Sequence, residues 1–233
     1  MRLRRAAAAA CAACLLLAGC VLLAGCSGKP PVLSRVFGRV IYVHDSSTNT
    51  NSETLGVFLV ASDPDGIENL SAFYVINDDA ELFWKVDSAT WVTSSAEGET
   101  WIGTSSLSMP GTMTVPAGGY RVVLEASGGA TVEETLTVPS RTVTAADAKY
   151  PTATVENGLI RVSGPSAGYE IWVYGKDGHF AGTFPSPGVS KPVSLQAIAS
   201  SVPALAGGFT FRVFAWNGSA GYGVLSGSYT AGG

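Results

Sequence analysis

Beyond about residue 30, no long window of this chain keeps the three-to-four-residue apolar repeat of an amphipathic helix. Short runs rich in Val, Thr, Tyr and Phe are instead cut repeatedly by Gly, Asn, Asp and Pro. Parallel strands need long crossovers, usually helical, so runs this closely spaced point to antiparallel sheets. The first set covers Ser34–His44, Thr54–Ser62, Leu70–Asn77, Glu81–Asp87, Glu99–Thr104, Gly119–Ala126 and Thr131–Val138. Asp63-Pro64-Asp65-Gly66 places a residue of fixed φ and then a glycine where a tight turn needs them. A second set covers Thr152–Glu156, Leu159–Ser163, Tyr169–Gly175, His179–Phe184, Phe209–Trp216 and Gly221–Tyr229. Asn157-Gly158, Asp177-Gly178 and Asn217-Gly218 are hairpin signals between or beside these runs. Only Ser194–Ser201 reads as a helical turn. The expectation is an all-β chain of two tandem antiparallel β-sandwiches. The first covers residues 34–140, and a connection over 141–151 leads to a second, smaller one over 152–231.

Seven strands over about 105 residues match the size of an immunoglobulin-like sandwich. Pro116-Ala117-Gly118-Gly119-Tyr120 resembles the late-strand motif of bacterial immunoglobulin-like and fibronectin type III domains. There the tyrosine hydroxyl folds back onto upstream backbone, which gives Tyr120 a structural role. Ala206-Gly207-Gly208-Phe209 is a fainter copy, in which Phe209 has no hydroxyl to make that bond. The resemblance implies an immunoglobulin-like first unit and a fibronectin type III-like second one.

The N-terminus sets the compartment. Arg2, Arg4 and Arg5 precede an apolar stretch from Ala6 to Ala24, the charged and hydrophobic regions of a secretory signal. An uncleaved membrane anchor is the alternative, because the stretch approaches the ~20 residues that span a bilayer. Leu22-Leu23-Ala24-Gly25-Cys26 resembles the lipobox of bacterial lipoproteins. That resemblance implies removal of residues 1–25 as a signal peptide and lipidation of Cys26. Leu16-Leu17-Ala18-Gly19-Cys20 is a second match, so Cys20 is the alternative site. Cleavage at Cys26 leaves Ser27-Gly28-Lys29-Pro30-Pro31, part of a tether over residues 26–33, whereas cleavage at Cys20 leaves an apolar start. Ser27 is not the Asp that holds some lipoproteins at the inner membrane, so the outer membrane is expected.

All four cysteines lie in this segment, so no disulfide framework or thiolate metal site is expected beyond it. Loss of the three leader arginines leaves eleven basic residues against 18 acidic ones, net −7 against −4 for the whole chain. An acidic surface repels phosphates, and nucleic acid is not an expected partner.

Carboxylates gather between Asp63 and Glu81, and Asp63, Asp65 and Glu68 are a candidate calcium set. The alternative is that Asp and Gly serve the turn alone. Trp84 shares a strand face with Leu82 and Val86 and is expected in the core. Trp91 and Trp101 lie beside Ser- and Thr-rich sequence and are candidates for an exposed, ligand-binding pair, with packing as the alternative. Two histidines, His44 and His179, fall in different predicted units without neighbouring cysteines, and Gly-x-Ser-x-Gly is absent. Neither catalysis nor a cofactor is expected. The expectation is a non-catalytic, membrane-anchored envelope lipoprotein acting as a structural or protein-interaction module. A carbohydrate-binding role through exposed tryptophans is the alternative. Its partners are then the membrane, through the lipid, and an envelope protein or glycan.

Overall fold

The computed structural model describes residues 29–96, 98–110, 113–165, 168–186, 191–202, 205 and 207–231. Cys20, Cys26 and the leader lie outside the described residues.

The chain is all-β, with a sandwich-type arrangement of sheets. The first half contributes β1 (Val32–Asp45), β2 (Thr50–Ser62), β3 (Leu70–Asn77), β4 (Leu82–Asp87), β5 (Val92–Ala96), β6 (Glu99–Ser108), β7 (Gly118–Ala126) and β8 (Thr131–Val138). The second half contributes β9 (Thr152–Glu156), β10 (Leu159–Ser163), β11 (Tyr169–Tyr174), β12 (Phe180–Ser186), β13 (Val193–Ser194), β14 (Phe209–Asn217), β15 (Tyr222–Leu225) and β16 (Tyr229–Ala231). One helix, α1 (Leu195–Ser201), follows β13, and Ser194 Oγ caps it by accepting from the Ala197 N–H at 3.3 Å.

Local chemistry explains the strand ends. Asp63 Oδ1 accepts from the Asp65 N–H at 2.8 Å, and Gly66 follows with φ of 104°. Asn157 and Gly158 both take positive φ, 52° and 73°, the geometry of a tight primed hairpin between β9 and β10. The expected run Gly221–Tyr229 is two strands, because Ser226 interrupts it. Its hydroxyl accepts from the Val213 N–H and donates to the Gly227 carbonyl, each at 2.8 Å, so the side chain replaces a ladder bond. Strands β5 and β13 were not legible as runs; both are short and polar.

The sheets depart from two tandem antiparallel sandwiches in one respect. Strand β1 pairs antiparallel with β2 along its length and parallel with β15, with Val40 opposite Tyr222 and Val43 opposite Leu225. One large sheet therefore runs β12-β11-β14-β15-β1-β2-β6-β5 through both halves, with β16 attached to β14. A four-stranded sheet, β4-β3-β7-β8, covers its first half, and a three-stranded one, β13-β10-β9, covers its second. The inner side chains form one buried cluster that includes Leu55, Phe73, Tyr120, Ile160, Ile171 and Phe211.

Segment 141–151 forms no strand, as expected of a connection, but it is not a free tether. Ala145 is buried, and Val143, Ala148 and Tyr150 pack against the core. The Tyr42 hydroxyl donates to the Val143 carbonyl, and Tyr150 Oη donates to the Ala145 carbonyl at 2.7 Å. Arg141, 7 % exposed, pairs with Glu53, 4 % exposed, at 3.1 Å, and it also donates to the Val115 carbonyl at 2.6 Å. Tyr120 Oη donates to the Pro116 carbonyl at 2.8 Å, the geometry of a tyrosine corner, and burial raises its hydroxyl pKa.

Candidate functional site

Side chains alternate across a strand, so β1 shows two apolar faces. Val36, Val40 and Tyr42 point into the core, while Phe37 is exposed and Ile41 belongs to a second cluster with Trp172, Phe214 and Leu225. That second cluster lies on the outer face of the large sheet, where a solvated face would read as polar.

The outer face carries a row of rings that crosses strand after strand. Phe180 of β12 meets Trp172 of β11 edge-on at 6.1 Å, and Trp172 stacks on Phe214 of β14 at 4.9 Å. Next comes the Arg39 guanidinium of β1, 4.9 Å from the Phe214 ring and 5.9 Å from Phe58 of β2. Phe37 and Trp101 of β6 follow, 5.1 Å apart, with Arg35 over both at 5.9 and 5.8 Å. Two glycines leave room for the rings. A methyl group on Gly223 would come within 2.4 Å of the Phe214 ring, and one on Gly103 within 2.5 Å of Phe58.

Between these rings lies a groove of about 560 Å³, lined by Phe37, Gly38, Arg39, Phe58, Ser94, Trp101 and Trp216. Phe37 and Trp216 are each 45 % exposed. Trp216 comes from β14 and the remaining walls from β1, β2, β5 and β6. The groove thus straddles the β15–β1 seam and exists only because the two halves share a sheet.

The three arginines of this face differ in what they touch. Arg35 pairs with Glu99. Arg212 donates to the Ser226 and His44 carbonyls at 2.8 and 2.9 Å. Arg39 makes no hydrogen bond or ion pair among the described residues, and its guanidinium lies over the two rings. Burial lowers its pKa from the ordinary value, and the charge of Glu170 opposes that shift. Glu170 itself accepts from Trp172 Nε1–H at 3.0 Å. Aromatic walls with one placed charge are the composition of a small-ligand site.

The structure separates the tryptophan pair that sequence suggested. Trp101 lies on the groove, half-buried, whereas Trp91 packs against the core and stacks with Phe73 at 6.1 Å. Trp91 is half-buried like Trp101, but it lies away from the groove and packs as the alternative reading expected. Trp84 is half-buried and stacks with Tyr120 at 6.4 Å, its indole N–H donating to the Ser108 carbonyl at 3.1 Å. The calcium alternative is corrected. Asp63 is turned onto its own loop, and no group of three or more His, Cys, Asp or Glu converges on a metal position among the described residues, so Asp63, Asp65 and Glu68 form no set. Sequence reasoning missed Phe37, Arg39 and Trp216. The available signal was Phe37 and Ile41 alternating with Arg35 and Arg39 on one strand face, opposite the apolar face of Val36, Val40 and Tyr42.

No family model and no curated protein matches the sequence. Among solved structures, dimeric latent PorU from Porphyromonas gingivalis is similar at 12 % identity and a TM-score of 0.34, over 88 % of this chain and 20 % of that one. Tp47, the 47-kilodalton lipoprotein of Treponema pallidum, is similar at 13 % identity and a TM-score of 0.34, over 88 % of this chain and 50 % of that one. The chain thus spans a fifth and a half of the two proteins, and likeness this loose carries no argument about function.

Proposed function

We propose that this protein is a non-catalytic, lipid-anchored envelope lipoprotein that binds carbohydrate through the aromatic groove of its large sheet. One observation carries the binding role: Phe37, Trp101 and Trp216 converge around a half-buried, unpaired guanidinium on a sheet face that water would otherwise cover. Ring faces offer the C–H side of a sugar a flat apolar partner at low entropic cost. The anchor rests on the lipobox ending at Cys26, with Cys20 as the alternative. Among the described residues no helix is long and apolar enough to cross a membrane, and two or three acyl chains would hold the body stably. Ser27 directs the protein to the outer membrane on this reading. The two halves are taken as immunoglobulin-like and fibronectin type III-like units.

A second reading, a structural or protein-interaction module, draws on Phe83. It is 61 % exposed on β4, the outermost strand of its sheet. The full lipoprotein, extracted from membranes in detergent and applied to a glycan array, tests between the two. Binding that disappears in a Trp101→Ala, Trp216→Ala double variant supports the groove. Silence across the array leaves the interaction module. Mass spectrometry of the N-terminal peptide tests the anchor, which requires a diacylglyceryl group on Cys26 or Cys20.

A further inference from the structure

We infer that Arg39 forms a carboxylate subsite, and that the groove takes an acidic glycan bearing uronate sugars rather than a neutral one. This deepens the carbohydrate reading above and rests on it.

The inference starts from what Arg39 lacks. Its neighbours on the same face are each satisfied, Arg35 by Glu99 and Arg212 by two carbonyls. Arg39 is held between Phe58 and Phe214, drawn partly out of water, and left without an acceptor among the described residues. Glu170, whose charge reaches it, accepts from the Trp172 indole N–H and makes no ion pair with Arg39 among the described residues. A guanidinium in this state has lost hydration without gaining a partner, so an arriving carboxylate meets little competing solvation. The guanidinium lies against two flanking rings, and its planar fork matches a carboxylate through two parallel N–H donors.

The walls select the rest of the ligand. Phe37, Trp101 and Trp216 line the groove with aromatic rings, and Ser94 adds a small polar side chain. An extended peptide would ordinarily gain affinity by pairing with a free strand edge. Here β15, β1, β2 and β6 are each paired on both sides, and β5, which contributes Ser94, is the one outermost strand beside the groove, so most of its wall offers no edge. What remains is recognition by ring faces and one fixed charge. A uronate supplies both complements: a pyranose C–H face for the rings and a carboxylate on the same ring for Arg39. A neutral sugar would cover the guanidinium and leave it unpaired.

The test uses the full lipoprotein in detergent, with intrinsic tryptophan fluorescence and calorimetry as readouts. The probes are tri-galacturonate, a hyaluronan tetrasaccharide, the methyl esters of both, and an aromatic tetrapeptide with a free C-terminal carboxylate. At least one acid should bind the unmodified protein tenfold or more tighter than its own ester. Arg39→Met should bring each acid and its ester to equal affinity, and Arg39→Lys should recover only part of the difference. The acid-against-ester comparison on the unmodified protein needs no variant to fold. Equal affinity for acid and ester, or a preference that survives in Arg39→Met, overturns the subsite. So does Arg39-dependent binding of the peptide with none of either acid. If neutral glycans bind through Trp101 and Trp216 while both acids fail, the subsite falls and the carbohydrate reading stands. If no glycan binds, both fall.

Discussion

Arg141 and Arg39 lie on opposite sides of the large sheet, and both are withdrawn from water. On the inner side, Arg141 meets Glu53, whose carboxylate also accepts from the Val115 N–H at 2.9 Å, and it donates to the Val115 and Pro139 carbonyls as well. That node fastens the connecting segment and the loop before β7 to β2. On the outer side, Arg39 has rings around it and no acceptor among the described residues. A buried charge held by a carboxylate and two carbonyls, with only its Nε left without a partner among the described residues, holds structure together. A half-buried charge left open does no such fastening, and on the proposed reading stability falls to one face and recognition to the other.

The sharpest way to break this comparison is to remove the partner of Arg141. Glu53→Ala leaves a guanidinium buried and unpaired, and should lower unfolding free energy by about 3–5 kcal/mol in urea titration. Replacing both partners with apolar residues, Glu53→Leu with Arg141→Met, should recover much of that loss. An unchanged midpoint in the single variant would mean that the node contributes nothing to stability. Gly103→Ala comes next. Its methyl would meet the Val57 carbonyl oxygen at 2.4 Å and the Phe58 ring, and backbone cannot step aside as a flexible side chain can. A loss of about 1–3 kcal/mol in thermal unfolding is expected, and a neutral result would remove the glycine slot from the account of the outer face.

Tyr120→Phe deletes one buried hydrogen bond, to the Pro116 carbonyl, and should cost about 1 kcal/mol in the same titration. Arg39→Met is the smallest and the most informative beside Arg141. It removes two cation–π contacts and no hydrogen bond, so about 0.5–1 kcal/mol or less is expected. A loss as large as that of Glu53→Ala would show that Arg39 is structural, and the division between the two faces would collapse.

Much of the strand pattern was legible. Leu70–Asn77, Thr131–Val138, Thr152–Glu156 and Leu159–Ser163 form the strands that the sequence predicts, because alternation and flanking turn residues act over a few positions. The Tyr120 hydroxyl bond to Pro116 is equally local. The site was mostly not legible. Trp101 drew notice as an aromatic residue, but Trp91 drew equal notice and packs half-buried against the core, away from the groove. Phe37 and Arg39 looked like the solvent side of an ordinary strand, and nothing beside Trp216 marks it as the far wall of a groove.

By itself, then, the sequence determined where the chain extends, where it turns and that it is all-β, since those depend on periods of two and on the φ of single residues. Only the tertiary structure decided that β1 takes β15 as a parallel neighbour across some 180 residues of chain. Strand partnership between distant segments depends on which edges folding leaves open, and local pattern carries no record of it. The groove sits on that seam, so the surface proposed to bind a ligand arises where two halves meet.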